Sequence, residues 1–211
     1  MTLGSQFGPS QLRLFESGEL RLDADFRSVR RVPLDGSSWV EHVSGWISRN
    51  EQLLDLLREI PGWEQRKRWM FTRLVEEPRL TAEYPVLSDA PVPFLRAIGE
   101  TLSERYGVPY DSAWLNLYRD HRDSTAWHAD RPSCRRERCM VPVVSLGETR
   151  RFQLRHREGG PTTTFIANGG DLIVMGGRCQ KDWVHCVPKE TRGAGMRISV
   201  NFASSVQATP G

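Results

Sequence analysis

From residue 110 onward the chain is written in short apolar runs separated by turn residues. The runs at 113–118, 140–146, 151–156, 162–166, 171–175 and 196–202 predict strands. Alternation is clearest in Arg151-Phe152-Gln153-Leu154-Arg155 and in Arg197-Ile198-Ser199-Val200-Asn201-Phe202, the period of two that a half-buried strand requires. The front of the chain reads differently. Residues 1–20 carry no periodicity and read as loop. Ser37 and Ser38 are placed to cap a helix running to about 48, with Trp39, Val43, Trp46 and Ile47 on one face. A second helix fits 50–60 and stops at Pro61-Gly62; a third starts near Pro91 or Pro93 and stops at Gly107.

Helices at the front and strands behind predict a mainly β, α+β fold, a sandwich or barrel braced by N-terminal helices. The domain plan is an N-terminal extension over 1–30 and a single domain over 31–211. No G-x-G-x-x-G, Walker loop or G-x-S-x-G elbow occurs, which argues against a nucleotide-binding α/β fold and against an α/β-hydrolase. There is no internal repeat and no low-complexity tract.

Composition adds bounds. At 211 residues, about 70% of the unfolded chain's surface can be buried, so the fold needs no metal or disulfide staple. Hydrophobic content of 38% with 26% charged residues is that of a soluble globule. No apolar run approaches the ~18 residues of a membrane span, and residues 1–10 do not read as a signal peptide. Four cysteines are too few for a disulfide scaffold; free thiols in a reducing cytoplasm are expected. The net charge of +3 is unevenly spread: between 131 and 157 eight arginines meet only Glu137 and Glu148. That run is either a solvated face or an electrostatic footprint for a polyanion.

Candidate chemistry centres on His128-Ala129-Asp130. Residues i and i+2 of an extended segment share a face, so imidazole and carboxylate can converge. His185 follows 55 residues after Asp130, beside another β-rich stretch. Two histidines and a carboxylate on a β scaffold suit a non-haem Fe(II) site with open coordination positions. The alternative is three unrelated buried or surface residues. Cys134 with Cys139 and Cys179 with Cys186 lack the spacing typical of structural zinc.

Several longer stretches resemble the AlkB family of Fe(II)- and 2-oxoglutarate-dependent dioxygenases. They are Asn116-Leu117-Tyr118, the run from Asp123 through His128-Ala129-Asp130, the run from Ser145 to Arg155, and Gly170-Asp171-Leu172-Ile173-Val174-Met175. Gln180-Lys181-Asp182-Trp183-Val184-His185-Cys186-Val187-Pro188-Lys189-Glu190 and Arg197-Ile198-Ser199-Val200-Asn201-Phe202 continue the match in order. Upstream, Glu77-Pro78-Arg79-Leu80-Thr81-Ala82-Glu83-Tyr84 is similar to the family's substrate-side segment.

The resemblance implies a double-stranded β-helix, or jelly roll, over about 110–203. His128, Asp130 and His185 would hold Fe(II), with O2 as co-reactant. Arg197 and Tyr118 would bind the far carboxylate of 2-oxoglutarate, Asn116 would lie near its metal-bound end, and Ser199 replaces an asparagine common in the family. A second arginine, usual six residues after the first, is Ala203 here, and Asp130 is followed by Arg131-Pro132 instead of an acidic cluster.

The implied activity is oxidative demethylation of alkylated nucleobases in DNA and possibly RNA, single-stranded or flipped from a duplex. Succinate, CO2 and formaldehyde would be released. Tyr84 and Trp69 are the candidates for stacking on the base, against a plain packing role. Arg135, Arg136 and Arg138 are the candidates for phosphate. A cytoplasmic monomer with no membrane partner is expected. The alternatives are a hydroxylase of the same fold acting on tRNA, a protein or a small molecule, and a catalytically weakened nucleic-acid-binding jelly roll.

Overall fold

Strand alternation sorts the apolar side chains of this chain into two layers, one on each face of a large sheet. The computed structural model describes residues 20–70, 72–130 and 139–204. A seven-stranded antiparallel sheet runs in the order β2 (Val29–Pro33), β3 (Ser38–Val43), β13 (Leu172–Gly177), β10 (Val141–Gly147), β15 (Arg197–Ala203), β8 (Ser112–Tyr118) and β7 (Leu80–Tyr84). A four-stranded antiparallel sheet runs β12 (Thr163–Ala167), β11 (Arg150–His156), β14 (Trp183–Val187) and β9 (Thr125–His128). Two small ribbons pair β1 (Arg21–Leu22) with β4 (Ile47–Ser48) and β5 (Lys67–Met70) with β6 (Arg73–Glu76). This mostly antiparallel two-sheet arrangement is the expected jelly roll.

The outer face of the large sheet carries helices. Val144 and Leu146 of β10 and Ile198, Val200 and Phe202 of β15 share one buried cluster with Leu53 and Leu57 of α1 (Asn50–Arg58) and with Leu95, Ile98 and Leu102 of α2 (Phe94–Tyr106). On the inner face, Val141 and Val143 of β10 and Ile173 and Met175 of β13 meet Phe152 and Leu154 of β11. The second and third helices run as the periodicity predicts, the former two residues short of residue 60. Gly107 ends α2 at φ 65°, the left-handed cap that glycine adopts without a Cβ penalty.

The first predicted helix is wrong. Residues 38–43 form β3, and a turn with Gly45 at φ 62° separates it from β4. β3 lies between β2 and β13 and is buried on both faces, so it lacks a period of two and its apolar positions mimic a helical face. The expectation of four free thiols also fails, since Cys139 is disulfide-bonded while Cys179 and Cys186 are free.

Candidate active site

The inner face of the large sheet changes character along β15 and β8. Their outward residues are apolar, but the inward ones are Arg197, Ser199 and Asn201 on β15 and Trp114, Asn116 and Tyr118 on β8. Strand register arranges them in three rungs: Arg197 opposite Tyr118, Ser199 opposite Asn116, and Asn201 opposite Trp114. β10 continues the middle rung with Ser145, and β7 with Thr81. With polar side chains at most of these inward positions, the two sheets do not close here, and a cavity of about 740 Å³ opens between them.

His128, Asp130 and His185 lie at one side of this cavity. β9 and β14 pair at His128 with His185 and at Thr125 with Val187, so β9 has one residue more than β14 between the pairs. That bulge turns both Thr125 and His128 into the cavity. His128 Nδ1 lies 2.8 Å from the Ala126 carbonyl oxygen, which can only accept. Nδ1 therefore carries a proton, and the tautomer this selects presents the Nε2 lone pair to the cavity. Nε2 of His128 is 3.6 Å from one Asp130 oxygen, and Nε2 of His185 is 3.5 Å from the other. These separations are too long for good hydrogen bonds. One donor atom from each residue lies within 4.8 Å of the others, as three ligands around a common centre require.

Electrostatics favours the metal-ready forms. Burial, only partly offset by Asp130, pushes His185 down to about 4, so its ring is neutral at neutral pH. Burial pushes the Asp130 carboxyl up, but the facing imidazoles outweigh it and hold the group below the ordinary carboxylate range. Two imidazoles with a carboxylate form a nitrogen–oxygen donor set that fits Fe(II).

Deeper in, Arg197 is 1% exposed and donates from Nε to Ser145 Oγ at 2.9 Å, while its Nη1 has no partner. Its guanidinium carbon lies 5.1 Å from the centre of the Tyr118 ring, whose hydroxyl is 2.6 Å from Thr125 Oγ1. Burial pulls the Arg197 pKa below its ordinary value. A buried cation with a spare N–H beside a cavity fits a ligand carboxylate. Asn116 donates to Ser199 Oγ at 3.2 Å and accepts from Arg79 Nε at 2.9 Å. Asn116, Tyr118, Arg197 and Ser199 thus share one cavity with the three-donor cluster.

The substrate-side expectations divide. Tyr84 lines the cavity mouth. Trp69 does not; it is 74% exposed on the β5–β6 ribbon, opposite Leu74. Arg135, Arg136 and Arg138 lie outside the described residues. Within the basic segment, Arg150 is no surface charge at all. It is 1% exposed and donates to the carbonyls of Asp120, Asp123 and Pro188, tying the loop before β9 to the segment after β14. Arg151 pairs with Glu190, and Arg155 lies over the Trp127 ring, its guanidinium carbon 4.3 Å from the ring centre.

Sequence reasoning missed several lining residues. Trp114 and Asn201 were within reach, because they alternate with Asn116 and Ser199 on the same faces. Arg79 lay in the upstream segment already singled out. Gln180, whose Oε1 accepts the Asp130 N–H at 2.8 Å, stands in the family-like run that leads to His185, but the resemblance gave it no role, since its partner is 50 residues away.

Residues 63–202 match the model of the 2OG-Fe(II) oxygenase superfamily. The chain is 31% identical over 172 residues to human alpha-ketoglutarate-dependent dioxygenase alkB homolog 3, covering 71% of this chain and 59% of that protein. It is 29% identical over 119 residues to the DNA oxidative demethylase ALKBH2 of Arabidopsis thaliana, covering 46% of this chain and 38% of the relative. The chain thus spans about three fifths or less of the length of these relatives. Among solved structures, the one described as "The structure of OsALKBH1" matches with a TM-score of 0.52 and 13% identity, over 83% of this chain and 100% of that one, a likeness of fold.

Proposed function

The chain belongs to the 2OG-Fe(II) oxygenase superfamily, in its AlkB family, and from that premise we propose that it removes alkyl groups oxidatively from nucleobases, using Fe(II), O2 and 2-oxoglutarate. The observation that carries this reading is one cavity holding both the His128, Asp130 and His185 donor cluster and the buried Arg197 with its unpartnered Nη1. His128, Asp130 and His185 would hold the iron. Arg197, with Tyr118 beside it, would bind the far carboxylate of 2-oxoglutarate. Asn116 and Ser199 would line the floor between that carboxylate and the metal.

When bound, Fe(II) with 2-oxoglutarate and O2 supplies hydroxylation of a methyl carbon, one oxygen atom entering that carbon and the other entering succinate as CO2 leaves. The resulting N-hydroxymethyl base loses formaldehyde and regains its N–H or free ring nitrogen. The protein's own contribution is placement. The rung Glu83, Trp114 and Asn201 offers a carboxylate, a flat aromatic face and an amide in one row along the cavity. Together with Tyr84 at the mouth, these groups suit a planar heterocycle with N–H edges, delivered single-stranded or flipped. Glu83 also pairs with Arg66 at 2.8 Å, which balances its charge within the cavity lining.

The test is to load the protein with Fe(II) anaerobically, add 2-oxoglutarate and oligonucleotides carrying single methylated bases, admit O2, and measure succinate and formaldehyde together. Formaldehyde stoichiometric with succinate supports demethylation. Succinate with no formaldehyde from any DNA or RNA oligonucleotide would sink the nucleobase reading and point to another acceptor, such as a protein or small molecule.

A further inference from the structure

Asp130 lies two residues beyond the last strand pairing of β9, which ends at His128 opposite His185. The ladder therefore does not hold its backbone. What holds it, among the described residues, is Gln180, whose Oε1 accepts the Asp130 N–H at 2.8 Å. Gln180 is 0% exposed and sits in α3 (Cys179–Asp182), which runs directly into β14 and reaches His185 five residues later. A backbone N–H can only donate, so the amide orientation is fixed: oxygen towards Asp130, nitrogen towards Met175 Sδ at 3.6 Å. Met175 is itself fully buried in the inter-sheet core. α3 is in turn tethered to the end of β11, because Arg157 donates to the carbonyls of Gln180 and Asp182.

The geometry points to Gln180 as a positioning residue for the carboxylate ligand. It ties the Asp130 arm of the site to the element that carries His185, so that all three donors are referred to one rigid piece of the core. This rests on the reading of His128, Asp130 and His185 as metal ligands. Without the acceptor, the Asp130 backbone would be free to rotate its carboxylate away from the two Nε2 atoms, and the cost would fall on metal affinity rather than on the fold. Outer partners of metal ligands typically contribute 10- to 100-fold in affinity.

The experiment titrates the metal-free protein with Co(II), reading the visible absorption bands of the bound ion, and records thermal unfolding of each variant in chelator. His128→Ala serves as the control; if the parent and His128→Ala bind Co(II) alike, the ligand reading itself is wrong. Gln180→Met keeps the volume and loses the acceptor. Its Co(II) affinity is expected to fall roughly 10- to 100-fold, with changed band intensity and a metal-free unfolding temperature close to the parent's. Gln180→Glu keeps an Oε acceptor and is expected to bind within about threefold of the parent or more tightly. Co(II) binding by Gln180→Met within about threefold of the parent overturns the proposal. Should Gln180→Met fail to fold, Gln180→Glu decides alone: a loss of about tenfold or more, despite the retained acceptor, overturns it equally.

Discussion

Arg197 shows how a single residue can report a ligand. A guanidinium that is 1% exposed and has one Nη without a partner is expensive to keep, because desolvation penalises the charge and nothing nearby repays it. The nearest compensation is a ring, Tyr118, and a hydroxyl, Ser145. Replacing Arg197 by Met is expected to weaken 2-oxoglutarate binding roughly 30-fold to several thousand-fold, since truncating one partner of a desolvated pair costs about 2–5 kcal/mol. Equilibrium binding of 2-oxoglutarate to the Mn(II)- or Co(II)-loaded variant checks it. A change below about threefold would move the anchor to another cation. Ala203 brings no second guanidinium to the strand end, so this one contact should dominate.

At the scale of elements, α2 and the loop around Asp171 carry opposite lessons about substitution. Gly99 is in the middle of α2, where Ala would ordinarily gain about 1 kcal/mol in helix propensity. A Cβ there would lie 2.5 Å from Leu87 Cδ2 and 2.7 Å from the Tyr110 carbonyl oxygen. Leu87 could rotate, but the carbonyl is backbone, and overpacking costs about 1–3 kcal/mol. Gly99→Ala is therefore expected to lower stability, with a fall in Tm of roughly 2–8 °C for a domain of this size. A rise in Tm would mean that the helix shifts freely. Asp171 joins three pieces: His42 of β3 at 2.9 Å, the Gly45 N–H at 2.8 Å and the Asn168 N–H at 3.0 Å. Burial raises its carboxyl, but His42 and the two N–H donors outweigh that and hold its pKa below the ordinary value. A carboxyl depressed in the folded state stabilises fully above its unfolded pKa, about 3.9, and the contribution is lost as pH falls through the folded value. The urea midpoint should thus fall as pH drops below about 4, and Asp171→Asn should flatten that slope while being weaker at pH 7. A variant whose acid profile runs parallel to the parent's would remove Asp171 as the cause.

For the whole molecule, the charge run of 131–157 is less uniform than its sequence. Arg150 is spent internally, Arg151 pairs with Glu190, Arg155 lies over Trp127 and Arg157 donates to the Gln180 carbonyl, and the loop candidates for phosphate are Arg135, Arg136 and Arg138. If those three meet a single strand, log affinity should fall linearly with log salt at about −0.7 per phosphate neutralised. Changing all three to Gln should flatten the slope by up to about 2, equally for every base sequence. Unaltered affinity and slope in the triple variant would leave the run a solvated face.

The sequence by itself determined which residue types alternate and in what order the motifs come. Local alternation is a property of the pleat, so six of the eight strands described after residue 110, the two helices ended by Pro61-Gly62 and by Gly107, and the H-x-D pair were legible one segment at a time, while the short β9 and β14 were not among the predicted runs. Asn116, Tyr118, Arg197 and Ser199 followed from resemblance, and register has since put them in neighbouring rungs. Tertiary structure decided what depends on partners distant in the chain. β3 was mistaken for a helix because both of its faces are buried, Val43 in the outer cluster and Val40 in the inner one, which erases the period of two. Trp69 was assigned to the cavity from its neighbours in sequence, but the β5–β6 ribbon pairs only with itself and carries it outside. The bulge that turns Thr125 and His128 the same way is set by pairing with β14. Gln180 reaches Asp130 only because α3 packs against the end of β9 across 50 residues of chain. The bulge and the Gln180 contact depend on partners distant in the chain, which no local pattern encodes.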